Sequence, residues 1–221
     1  MGFTPGRLTA RRDLPALHSE IWGLDLATNR TAALVLNLAA LPVLIFVGWI
    51  FVSVASLLRP GLVLRMYLFR ITPNPYALMI VILVFIVAVM TLHEAIHGAF
   101  FWLFTRSKPV FGMNLLFAYA GTPDWYIPRN QYVIIGLAPL VLITTFGFVA
   151  IFMTSLAAAQ LSLLGMTLNA AGAIGDIYVS GKVLGQPPDV LIRDTGAGFT
   201  IFGHTNGGVE HRAEGVISHE R

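Results

Sequence analysis

From Tyr76 to Thr105 the chain is apolar and carries no Lys, Arg or Asp, yet His93, Glu94 and His97 sit inside that run. A bilayer crossing needs about 20 apolar residues at about 1.5 Å per residue, so the run is long enough to span. In lipid the backbone must satisfy its own hydrogen bonds, which makes it a helix. A second apolar stretch runs from about Ala32 to Leu58, with Pro42 and Gly48 as kink points. A third, from about Tyr132 to Leu184, is long enough for two crossings, with the turn expected between Ser155 and Gly165. The expected fold class is an all-α membrane protein of about four transmembrane helices. With 56% hydrophobic and 11% charged residues and a mean hydropathy of +0.75, an ordinary soluble domain is excluded.

The connections refine this layout. Val110 to Ala120 (VFGMNLLFAYA) is too short and interrupted to span but too apolar for an exposed loop. It reads as a membrane-associated hairpin or re-entrant segment between the second and third spans, whose edge can bind an extended substrate, with Asn114 a candidate contact. Gly61 to Arg70 reads as an interfacial amphipathic segment, and Leu14, Leu17, Ile21, Trp22 and Leu24 as a short surface helix before the first crossing. The organisation expected is an interfacial segment over 1–31, a transmembrane core over 32–184 and a tail over 185–221. Arg7, Arg11, Arg12 and Arg30 in the N-terminal segment, with Arg106, Lys108 and Arg129 in the second loop, place these ends in the cytoplasm, although Arg59, Arg65 and Arg70 oppose this. The expected location is the plasma membrane with both termini cytoplasmic. A net charge of +3 then suits anionic lipid headgroups, and no nucleic-acid partner is expected.

His93-Glu94-Ala95-Ile96-His97 is an HExxH motif. By composition it would arise by accident with odds of about one in a few hundred. On a helix the two imidazoles at i and i+4 share a face and can grip one Zn²⁺, while the carboxylate between them can activate water. Ionisable groups at membrane depth are costly, and three within five residues are more than a structural cluster requires. The chain has no Cys, so a third ligand must be oxygen or imidazole. Asp176 is the only acidic residue after the motif that lies within an expected span, at a depth compatible with His97; its other reading is a helix-end carboxylate pairing with Lys182 or Arg193. Asn169 either contacts substrate or the metal shell, or simply bridges helices. Asp194, opening Asp194-Thr-Gly-Ala-Gly-Phe199, is either a substrate-facing residue or part of a plain turn. His204, His211 and His219 read as solvated tail residues. Two other functions compete with hydrolysis. One is a non-catalytic zinc-binding scaffold or transporter, against which Glu94 argues; the other is a haem or di-iron oxidoreductase, which needs more ligands at membrane depth.

The HEAIH helix, Pro109-Val-Phe-Gly112, the Ala138-Pro139 pair, Asn169 to Asp176 and Asp194 to Phe199 together resemble the small multi-pass membrane proteins classed as zincin peptidases. These are similar to the site-2 intramembrane metalloproteases. The resemblance covers roughly Tyr76 to Phe202. It implies that His93, His97 and Asp176 are zinc ligands, that Glu94 is the catalytic base, and that the substrate is a membrane protein or peptide. The segment around Asp176 departs from the site-2 pattern: it lacks the prolines, and Ile177 stands where those proteins have Gly. A PDZ-like domain is also missing from the expected organisation.

Overall fold

The computed structural model describes residues 9–62, 74–113 and 117–204. Four long helical passes alternate in direction, and their ends on one side carry a small antiparallel sheet. Strand β1 (His18–Asp25) leads into helix α1 (Arg30–Leu58), whose first turn is capped by Asn29 Oδ1 accepting from the Ala32 amide at 3.0 Å. Helix α2 (Pro75–Thr105) starts with the expected signals: Asn74 Oδ1 accepts from the Tyr76 amide at 2.9 Å, and Pro75 occupies the first helical position, where its missing N–H costs nothing. It ends at Arg106, in left-handed conformation (φ 55°) with its N–H on the Trp102 carbonyl.

Strands β2 (Val110–Met113) and β3 (Ala118–Gly121) pair as a hairpin, where a hairpin or re-entrant segment was expected. After the short β4 (Tyr126–Pro128), α3 (Arg129–Met153) runs away from the sheet. The chain then reverses at Thr154 and Ser155, the near edge of the expected turn. It returns through α4 (Leu156–Gly172) and α5 (Ile174–Leu184), which are bent by 47° about Ala173. Helices α1, α2 and α3 are each long and apolar enough to cross a membrane, and the bent pair counts as a fourth span if taken together. Their large apolar side chains face outward: Ile45 is 74% exposed, Leu83 61% and Phe146 66%. Such a surface suits lipid and is far larger than the apolar patches of soluble monomers.

The all-α expectation is corrected by the sheets. Strands β5 (Leu191–Asp194) and β6 (Gly198–His204) join β1 and β4 in a four-stranded antiparallel sheet of order β1-β6-β5-β4. The expected surface helix at Leu14 to Leu24 is in large part β1. A register irregularity between Glu20 and Trp22 breaks the alternation that would mark a strand, which leaves a helix-like spacing in the sequence. Trp22 and Leu24, two residues apart on one strand face, pack against the core. That core sits between sheet and helix ends, joining Ile127, Ile192 and Ile201 to Phe101, Ile135 and Val183. A second cluster, with Ala55, Ile151 and Met166, closes the opposite end of the bundle. The amphipathic reading of Gly61 to Arg70 and the candidate Asn114 lie largely or wholly outside the described residues.

The hairpin is held to the sheet by close backbone contact. A Cβ on Gly121 would lie 2.4 Å from the Gly196 nitrogen and 2.7 Å from its Cα, so backbone would have to part. Gly196 itself has φ +86° and lies against the Tyr119 ring. Gly121→Ala is therefore expected to destabilise the protein by about 1–3 kcal/mol, the usual cost of overpacking. Thermal unfolding in detergent should show a fall of several degrees, whereas an unchanged midpoint would mean that this contact is not made.

Candidate metal centre

Residues His93 and His97 lie one turn apart on α2, on the face turned into the bundle, and both are buried. Asp176 occupies the first turn of α5, just past the bend at Ala173, where a helix N-terminus favours negative charge. The fold brings the three together. His93 Nε2 is 3.1 Å from Asp176 Oδ2, His97 Nε2 is 3.4 Å from Asp176 Oδ1, and the two Nε2 atoms are 3.1 Å apart. The other reading of Asp176, pairing with Lys182 or Arg193, is not seen. Lys182 lies over the rings of Trp22 and Tyr178, and Arg193 donates to the Pro123 carbonyl.

Which ring nitrogens carry protons follows from their partners. His97 Nδ1 is 3.0 Å from the Ile135 carbonyl oxygen, which only accepts, so Nδ1 is the protonated nitrogen. Asn169 donates its Nδ2 to the Pro139 carbonyl at 3.3 Å; its Oδ1 then faces His93 Nδ1 at 2.9 Å and accepts that proton. In the neutral rings both Nε2 atoms present lone pairs, and they face each other and a carboxylate. Two such nitrogens and a carboxylate converging in this way, with both rings neutral, repel unless a cation lies between. Their spacing fits one as well, because donors about 2.0–2.1 Å from a tetrahedral Zn²⁺ stand about 3.3–3.4 Å apart. The residues present thus fit the metal that an HExxH motif implies.

Glu94 is partly buried and lines the same cavity as the cluster, within reach of the Ala120 backbone amide on β3. Asn169 is wholly buried and its amide is used by His93 and Pro139, so it holds the His93 ring in place. Asp194, at the end of β5, lines the cavity too. Tyr132 donates to its Oδ2 at 2.5 Å and the Gly196 amide to its Oδ1 at 2.6 Å. Burial pushes the Asp194 carboxyl up to about 6, against these two hydrogen bonds that favour its charged form. A carboxyl so displaced in a cavity is a common mark of a functional site.

Sequence reasoning had not picked out Tyr132, or Ser180, whose buried hydroxyl lines the cavity without a hydrogen-bond partner among the described residues. Neither sits in a recognisable motif. No further imidazole joins the cluster among the described residues: His18 and His204 face each other across β1 and β6, with ring centroids 4.6 Å apart. His211 and His219 lie outside the described residues.

The centre is shallow with respect to the sheet. From His97 to the end of α2 is about 12 Å, from Asp176 to the end of α5 about 12 Å, and from Ile135 back to the start of α3 about 9 Å, at 1.5 Å per residue. The sheet side is therefore the short route to the site for water. No curated protein and no solved structure matches the chain. The chain is similar to a protein family: residues 84–191, which include both histidines, Glu94, Asn169 and Asp176, match the family described as “Putative zincin peptidase”, and this supports zinc as the metal and metallopeptidase as the class.

Proposed function

We propose that the chain is a zinc-dependent intramembrane peptidase that hydrolyses peptide bonds of membrane-embedded proteins or peptides, similar in its chemistry to the site-2 intramembrane metalloproteases. The observation that carries this reading is the convergence of His93 and His97, on a helix long and apolar enough to cross a bilayer, with Asp176 of the bent pair α4 and α5. Zn²⁺ on these three side chains would supply Lewis acidity toward a peptide carbonyl and acidify water. Glu94 takes a proton from the attacking water as its oxygen bonds to the carbonyl carbon. It then delivers that proton to the departing amine nitrogen as the C–N bond breaks.

A helical substrate must first unwind, because its carbonyls are bonded internally. Residues 117–120 line the cavity, so an extended substrate beside β3 would exchange backbone hydrogen bonds with that strand. Asp194 and Tyr132 line the same space and are the side chains we assign to substrate contact; Asn114, which follows β2 in the sequence, is a further candidate. Arg11, Arg12, Arg106, Lys108, Arg129 and Arg193 lie toward the sheet end by their place in the chain, which supports placing that side in the cytoplasm; the membrane we assign is the plasma membrane.

The test is made on purified protein reconstituted in vesicles with single-span peptides. About one zinc per chain by elemental analysis is expected, with cleavage that a chelator abolishes and added zinc restores. Cleavage that survives complete metal removal would overturn the reading.

A further inference from the structure

The two histidines are held by acceptors that a regular helix does not offer. His97 Nδ1 donates to the carbonyl of Ile135, in the interior of α3, where a carbonyl is ordinarily taken by the amide four residues later. Four residues later is Pro139, which has no N–H to give. Ile135 is 1% exposed, so water does not supply the missing donor, and His97 does. The same proline acts on the other ring. Its own carbonyl accepts from Asn169 Nδ2, which turns the amide so that Oδ1 takes the proton of His93 Nδ1.

We propose that Pro139 is a positioning residue for the whole centre: by withholding one N–H and presenting one C=O it fixes the tautomer of both His97 and His93, leaving each Nε2 open to metal. This rests on the metal-centre reading above. It assigns to a residue that touches neither metal nor substrate the task of orienting two ligands on a different helix. The proline lies inside α3, where it would otherwise weaken the helix, and it is buried, with its carbonyl on Asn169 of α4.

The experiment measures zinc affinity by chelator competition in detergent for four proteins. These are wild type, Pro139→Ala, a chain carrying the α-hydroxy-acid analogue of alanine at position 139, and Pro42→Ala. In Pro139→Ala the restored N–H competes with His97 for the Ile135 carbonyl, and zinc should bind roughly 10–100-fold more weakly, the usual cost of losing a partner of a metal-bound histidine. The metal-free protein should be no less heat-stable, since alanine is the better helix former. The hydroxy-acid chain lacks the N–H but also lacks the ring, and it should recover wild-type affinity to within a few-fold. Pro42 is exposed on α1, away from the imidazoles, and its replacement should leave affinity unchanged.

Wild-type affinity in Pro139→Ala would overturn the proposal. So would weak binding by the hydroxy-acid chain, which decides the matter alone if the alanine variant cannot be purified. Failure of the wild type to bind zinc is a separate result, and it would sink the metal centre itself.

Discussion

Glu94→Gln is expected to keep its zinc and lose roughly 10²–10⁴-fold in kcat/KM, the range over which a general acid–base group acts. Glutamine has nearly the shape of glutamate and still accepts hydrogen bonds, but it cannot take a proton from water at neutral pH. Glu94 is not one of the three converging donors, so the metal set is untouched by the change. A merely space-filling Glu94 would predict a near-silent substitution, since the cavity wall it forms would be preserved. The measurement pairs cleavage rate with zinc content and thermal midpoint on one preparation. Full activity would remove Glu94 from the chemistry, and loss of zinc with the activity would make it a ligand instead.

Much of this centre was legible in the sequence because its signals are local. The HExxH spacing puts two imidazoles on one helix face, and a carboxylate inside an apolar run has few reasons to be there. The depth comparison that linked Asp176 to His97 needed only helix rise and a count of crossings, and the structure brings the two to 3.4 Å. At Val110 to Ala120 the choice between a hairpin and a re-entrant segment was legible, because an apolar stretch too short to cross must satisfy its backbone some other way, and the antiparallel pairing of β2 with β3 decides for the first.

The four-stranded sheet was not legible, since it is built from pairings between distant segments. His18 faces His204, and Tyr126 faces Arg193. The irregularity at Glu20 and Trp22 removed the one local sign that β1 had. Asn169 left open several readings until its partners were seen, because an amide in a span serves substrate, metal shell or helix contact equally well. The acceptor for His97 was hidden for a different reason: it is a backbone carbonyl, and side-chain motifs are blind to it. Pro139 was the trace it left, four residues downstream of the carbonyl it frees.

Asp176→Ala is expected to weaken zinc binding by more than the roughly 10–100-fold typical of an outer-shell partner, because it removes a donor and the only negative charge among the three. Two neutral imidazoles would remain, and open positions would have to be filled by water. Asp176→Asn separates the two contributions, since it keeps an oxygen donor of similar reach but discards the charge; its affinity should fall between wild type and Asp176→Ala. The double change His93→Ala, His97→Ala should abolish zinc retention outright. Competition with a chelator of known affinity orders all four proteins on one scale. Zinc retained at one per chain by the double histidine variant would place the metal elsewhere. Wild-type affinity in Asp176→Ala would instead leave the His pair in place and require another oxygen or nitrogen donor to complete the set. The geometry argues against that second outcome: among the described residues, the three-donor group capable of holding a metal around these histidines is completed by Asp176, and its two oxygens divide their contacts between the two rings.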